Sequence, residues 1–228
     1  EKVKLQITCP DQSCYTYLIS DRGAYDTFPL TAGNGSYTLQ VLENVAGDTY
    51  TVSLTQSINV SIEDEFLPFL YPNQYVNFHA DSQAVSKGSD LAKDTYSDLD
   101  VVQNIYNYVI KNISYDTEKA QNVSYGYVPD VDDTLSSKKG ICFDYAALMT
   151  SMLRSQNIPT KLEVGYSGDA YHAWISTYID DKGWVDDIIQ FDGDTWQIMD
   201  PTLAATNDSA AVKKYVGDGS HYVVKYTY

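Results

Sequence analysis

The stretch GICFDYAALMTSMLRSQNIP, residues 140–159, decides how the rest of the chain is read. From Cys142 to about Gln156 the apolar residues Tyr145, Leu148, Met149, Met152 and Leu153 recur at helical spacing, the mark of an amphipathic helix with one buried stripe. Asn157 suits a left-handed C-terminal cap, and Pro159 stands where a helix must already have stopped. Gly140 permits a tight turn before the helix, so Cys142 falls in its first turn. There the backbone N–H groups are unpaired and the helix dipole is positive, which favours a thiolate over a thiol.

A lone cysteine is more often packed as a small hydrophobe, so a chemical role needs a base. The chain has three histidines, His79, His172 and His221. His172 lies in DAYHAWISTYI, where His172, Trp174, Ser176 and Tyr178 alternate with Ala173, Ile175 and Thr177, the period of a strand. At the start of that strand an imidazole can face a helix N-terminus and take the thiol proton, giving the nucleophile and base of covalent catalysis. Asp200 closes the short apolar run WQIMDPT; its carboxylate can hold the other ring N–H and fix the tautomer. By itself Asp-Pro is more often a turn signal.

Together the segments KKGICFDYAALMTSMLR, KLEVGY, YHAWI and MDPT resemble the core of the transglutaminase-like superfamily, across residues 95–228. The resemblance implies a papain-type triad in chain order, with Cys142 as nucleophile, His172 as general base and Asp200 as orienting acid. Trp174 resembles an aromatic commonly found two residues past the histidine. The Cys142 N–H is a natural oxyanion donor. No motif marks the second donor, for which Tyr115 in NISYD is the candidate. The corresponding family loop borders the substrate cleft, which makes Tyr125, Tyr127, Asp130 and Asp133 candidates to meet substrate; a solvated acidic loop would explain the same residues.

The 228 residues suffice for one large or two small domains, and 43% hydrophobic content excludes a disordered chain. A net charge of −16, with 15 basic against 31 acidic residues, argues against nucleic acid as a partner and disfavours anionic lipid. No run is long and apolar enough to span a bilayer. The chain starts at Glu1 without an initiator Met, which suggests a processed or truncated form, and its 21 tyrosines with many Thr, Ser and Asn resemble exported bacterial surface proteins. An extracellular or cell-surface location is expected.

Cys9 and Cys14 flank the turn Pro10-Asp11-Gln12-Ser13 between alternating segments, so a Cys9–Cys14 disulfide is predicted, with Cys142 left as a thiol. Such a bridge would favour an oxidising compartment. The same spacing offers no metal set, and the acidic run Asp180, Asp181, Asp186 and Asp187 lacks the order of a calcium loop and reads as a solvated turn. No cofactor or metal is expected.

Residues 1–80 read as strands VKLQIT, YTYLIS, SYTLQVLEN, DTYTVSLTQ and INVSI with turn signals between them, a small immunoglobulin-like β-sandwich serving as an accessory domain. Residues 81–228 form the catalytic domain. It opens on a helix capped by Ser97 with Asp100 three residues on, and a weaker helix, around AVSKGSDLAK, precedes it. A long loop then leads to Cys142. Five strands (KLEVGYSG, YHAWISTYI, GWVDDIIQF, TWQIMDP and HYVVKYTY) are expected in one antiparallel sheet against the cysteine helix, an α+β fold. The expected activity is thiol-dependent acyl transfer or hydrolysis on a protein or peptide amide, a cell-wall peptide being one candidate. The alternative is a non-catalytic binding or adhesion module with a vestigial triad.

Overall fold

Alternating side chains in the first sixty residues build four strands: β1 (Val3–Thr8), β2 (Cys14–Ile19), β3 (Gly35–Ala46) and β4 (Thr49–Val60). The computed structural model describes residues 2–19, 23, 25–180, 182–185, 188–191, 196–198 and 222–228, and the chain divides into two units, Glu1–Pro68 and Phe69–Tyr228. In the first unit the strands are antiparallel in the order β2-β1-β3-β4. Among the described residues this is a single sheet, where the strand spacing had suggested two sheets of a sandwich. The two runs expected as DTYTVSLTQ and INVSI are one strand, because no turn-forming Gly, Pro, Asn or Asp separates Gln56 from Ile58.

One face of this sheet is apolar. Ile7, Tyr15, Tyr17 and Tyr37 are buried on it, and Phe28 from the chain after β2 lies 4.7 Å from the Tyr17 ring. The other face carries uncharged polar rows. Gln6 donates to Thr16 and Gln40 to Thr55, each at 3.3 Å, along one cross-strand line.

The predicted Cys9–Cys14 disulfide is not formed; both residues are thiols. The register explains why. Thr8, not Cys9, stands opposite Cys14, and successive residues of a strand point to opposite faces. Cys14 is exposed beside the Thr8 hydroxyl while Cys9 is buried. Burial pushes the Cys9 thiol pKa up. The argument for an oxidising compartment from this pair therefore lapses.

The second unit begins with α1 (Gln83–Ala92) and α2 (Asp98–Asn112). The Ser97 hydroxyl accepts from the Asp100 N–H at 3.2 Å and donates to the Asp100 carboxylate at 2.9 Å, closing the start of α2. The expected long loop holds two short helices, α3 (Thr117–Asn122) and α4 (Val131–Ser137), preceded by the two-residue strand β5 (Ser114–Tyr115) and followed by β6 (Lys139–Gly140). Both helices are too short to show a period, and each is begun by an aspartate: Asp116 accepts from Lys119 N–H, and Asp130 from Asp132 and Asp133 N–H.

Helix α5 (Cys142–Ser155) follows, then β7 (Thr160–Ser167), β8 (Ala170–Ile179), β9 (Gly183–Val185), β10 (Ile188–Phe191), β11 (Trp196–Ile198) and β12 (Tyr222–Thr227). Four of these strands form an antiparallel sheet, β12-β7-β8-β9, and β10 pairs with β11 separately. Among the described residues the five expected strands thus lie in two sheets, one of four strands and one of two. The run GWVDDIIQF is shared between the two, with two consecutive aspartates, a residue type depleted in strands, in its middle.

The core of this unit is α5 against β7 and β8. Every residue of α5 from Asp144 to Arg154 is buried, so the helix is surrounded by α1, α2, α4 and the sheet rather than lying on a surface. Asn157 takes φ 63° just past it, the left-handed cap its sequence suggests. Gly165 is needed where β12 pairs with β7: a Cβ there would collide with the Val223 carbonyl oxygen. The arrangement is α+β, with the cysteine helix packed on an antiparallel sheet.

Candidate active site

Cys142 is the first residue of α5, half-buried and a thiol. What fixes this turn is not the cap residue itself, since Ile141 has no side-chain acceptor. Instead the Asp144 carboxylate folds back and accepts the Ile141 N–H at 2.8 Å, half of a capping box. Gly140 makes room for it, because a Cβ at 140 would lie 2.7 Å from the Asp144 Cβ.

Asp144 is fully buried. Besides Ile141, its carboxylate accepts from Lys119 Nζ at 2.7 Å and from the Tyr127 hydroxyl. Lys119 Nζ also donates to the Tyr127 oxygen at 2.6 Å and lies 4.5 Å from the centre of that ring. Tyr127, a cleft candidate from the sequence, therefore has its hydroxyl committed to Asp144 and Lys119. Burial and the Asp144 carboxylate push its phenol pKa strongly up.

His172 is buried on β8, in register with Gly165 of β7. Its ring lies 6.2 Å from Trp174, two residues on and on the same face, and 6.4 Å from Tyr222 of β12, with Tyr222 also 4.7 Å from Trp174. Trp174 is 2% exposed; it walls the imidazole from within the sheet. On the same face the buried Glu163 carboxylate accepts from the Ser176 hydroxyl. The helix that begins at Cys142 packs on the strand that carries His172.

Tyr115 pairs in parallel with Gly140, and Asp116 N–H donates to the Gly140 carbonyl at 2.9 Å, so the candidate second oxyanion donor sits alongside the approach to Cys142. Asp130 is engaged in capping α4, and Asp133 is exposed on it. Asp200 lies outside the described residues, as does His221.

Aromatic rings gather around Phe143. Phe143, next in sequence to Cys142, is 5.3 Å from Tyr75, which is 4.8 Å from Tyr228. Burial, with the neighbouring Tyr125, Tyr171 and Tyr226, pushes the Tyr75 phenol up to about 12. Tyr171, about half of whose surface stays open to solvent, packs on Tyr166 at 5.5 Å; partial desolvation, the neighbouring Tyr226 and Tyr166, and Cys142 raise its pKa.

Sequence reasoning missed Lys119 and Arg154. Nothing local marks Lys119, whose partner is 25 residues away. Arg154, at the far end of α5, is buried and, among the described residues, donates to three main-chain oxygens: Thr160 at 2.9 Å, Tyr71 at 2.7 Å and Tyr228 at 2.8 Å. Burial pulls its pKa down to about 9; the three acceptors hold the guanidinium in place. Among the described residues no group of three or more His, Cys, Asp or Glu side chains is placed to hold a metal ion.

A cysteine at the head of a buried helix, packed on an antiparallel sheet that carries a buried histidine, defines a thiol-centred α+β domain. Residues 86–186 match the model of the Transglutaminase-like superfamily. The chain is 32% identical over 98 residues to the UPF0252 protein MJ1282 of Methanocaldococcus jannaschii, covering 38% of this chain and 28% of that protein. It is 30% identical over 107 residues to the kyphoscoliosis peptidase of Mus musculus, covering 41% and 16%. It thus spans less than a third of either relative's length. Among solved structures, the periplasmic domain of TgpA from Pseudomonas aeruginosa is similar at 14% identity and a TM-score of 0.47, covering 89% of this chain and 88% of that one.

Proposed function

We propose that this protein is a cysteine enzyme that acts on a protein or peptide amide through an S-acyl intermediate on Cys142. The observation that carries this reading is the placement of Cys142 as the first residue of α5, with that helix packed on the strand bearing the buried His172. The thiolate attacks the carbonyl carbon, the C–N bond breaks, and the proton held by His172 goes to the leaving amine. The thioester then passes its acyl group to water, giving peptidase or amidase activity, or to a primary amine, giving cross-linking. Asp200 is assigned as the acid that orients His172, and Tyr115 as the second oxyanion donor beside the Cys142 N–H. The sheet of Glu1–Pro68 serves as an accessory module. The tyrosine-, threonine- and serine-rich composition supports an extracellular or cell-surface setting.

The test is the rate of Cys142 alkylation by iodoacetamide across pH in the parent and in His172→Ala, with the site assigned by peptide mass. Rapid labelling well below pH 8.5, the ordinary cysteine pKa, and its loss in the variant are expected. Labelling that rises only near that pH and ignores the substitution would sink the catalytic reading and favour a binding module with a vestigial triad. Incubation with a protein substrate and a labelled primary amine then separates transfer from hydrolysis.

A further inference from the structure

The turn that carries Cys142 contains an electrostatic conflict. Its backbone is fixed by the Asp144 carboxylate on the Ile141 N–H, yet that carboxylate, two residues from the thiol and fully buried, competes with a thiolate for the same positive helix end and repels it. The conflict is resolved by a side chain from another helix. Lys119 of α3 reaches Asp144 at 2.7 Å with its own side chain 27% exposed, and Tyr127 closes the third side by bonding both.

Resting on the reading of Cys142 as nucleophile, we propose that Lys119 is a positioning residue that holds Asp144 as a charge-neutral pair beneath the nucleophile, so that the turn is pinned without an uncompensated anion beside the thiol. The neighbouring charges make this cation matter. Asp130 and Asp133, about α4, act on Tyr127 and add negative potential. Asp116 is spent capping α3. Lys138 and Lys139, just before the turn, are exposed to solvent. On β8, Tyr171 senses Cys142, and His172 stands near the strand's start. A purely mechanical clasp would need only hydrogen bonds; a charge-balancing one predicts that removing either partner moves the thiol in opposite directions.

The experiment follows the pH midpoint of Cys142 alkylation, again assigned by peptide mass, in the full chain with Lys119→Met, Asp144→Asn, both together, and Lys119→Arg. Lys119→Met is expected to raise the midpoint by about one pH unit and so to slow labelling at pH 6–7 about tenfold. Asp144→Asn should lower it, because the lysine charge is then uncompensated. The double variant should return near the parent even if its thermal midpoint has fallen, and Lys119→Arg should keep the parent profile. Unmoved midpoints, or a double variant displaced like Lys119→Met, would overturn the proposal. Should Lys119→Met fail to fold, Asp144→Asn against the double variant reads the same charge, and equal midpoints there would overturn it too. A parent whose midpoint lies at the ordinary cysteine value would sink the function proposed for Cys142, while the opposite displacements would still be read against that parent.

Discussion

Cys9 and Cys142 share a side chain and nothing else, and the units around them differ in the same way. Around Cys9, strands pair through long ladders, one face is a cluster of tyrosines, and the other is a grid of hydroxyls and amides open to water. Around Cys142, an eleven-residue run of helix is wholly buried, and the charged groups at its two ends, Asp144 and Arg154, are multiply bonded. The first unit rests on backbone pairing and tolerates its side chains; the second rests on side chains that fix one turn of one helix. Chemistry at a thiol needs the second kind of order, because a nucleophile is useful only while its surroundings are held.

The sharpest way to test that contrast is truncation of a buried ring against truncation of an exposed apolar chain. Trp174→Ala should destabilise the second unit by about 3–5 kcal/mol, as large aromatic deletions in cores do. The three tryptophans all lie beyond residue 170, so the loss is read by denaturant unfolding followed through their remaining fluorescence. An unfolding midpoint that barely moves would mean that Trp174 is not the wall of the imidazole described above.

A smaller but still clear difference separates the thiols themselves. At neutral pH iodoacetamide should modify Cys142 at least about tenfold faster than Cys9, whose pKa burial raises; equal rates at the two sites would erase the distinction. Cys9 labelling, slow and dependent on opening, then reports the stability of the first unit. Next in size, Ser97→Ala should cost about 1 kcal/mol through loss of the α2 cap, measured by the same fluorescence. At the bottom of the scale, Leu54→Ala, on a side chain 57% exposed on β4, should stay within about 0.5 kcal/mol. A large slowing or quickening of Cys9 labelling in that variant would show that β4 carries packing not seen in its exposure.

Where a segment carried its own signal, its structure was legible in the chain. The extent of α5, the Asn157 cap and the Ser97–Asp100 box are local patterns with local causes, and all three stand in the structure; the single buried stripe expected of α5 does not, since every residue from Asp144 to Arg154 is buried. Helices α3 and α4 escaped because one or two turns show no period, and their capping aspartates look like any acidic loop. The Cys9–Cys14 bridge failed over a single residue of register: shifting a strand by one exchanges its faces, and no composition signal distinguishes Thr8 from Cys9 as the partner of Cys14. Of the candidate site, the positions of Cys142 and His172 on a helix start and a strand start could be read. The Lys119 contact could not, because it joins residues that only the folded chain brings together.

Arg154 has a consequence for how the molecule comes into being. Its guanidinium needs oxygens from residue 71, 83 positions earlier, and from residue 228, 74 positions later. A ribosome releases the helix bearing the thiol long before it releases that last partner, and a guanidinium lacking it stays in water rather than enter an apolar interior. The cysteine helix therefore takes its buried seat only after β12 has been made, and the nascent chain carries Cys142 on an unseated helix until synthesis has passed that strand.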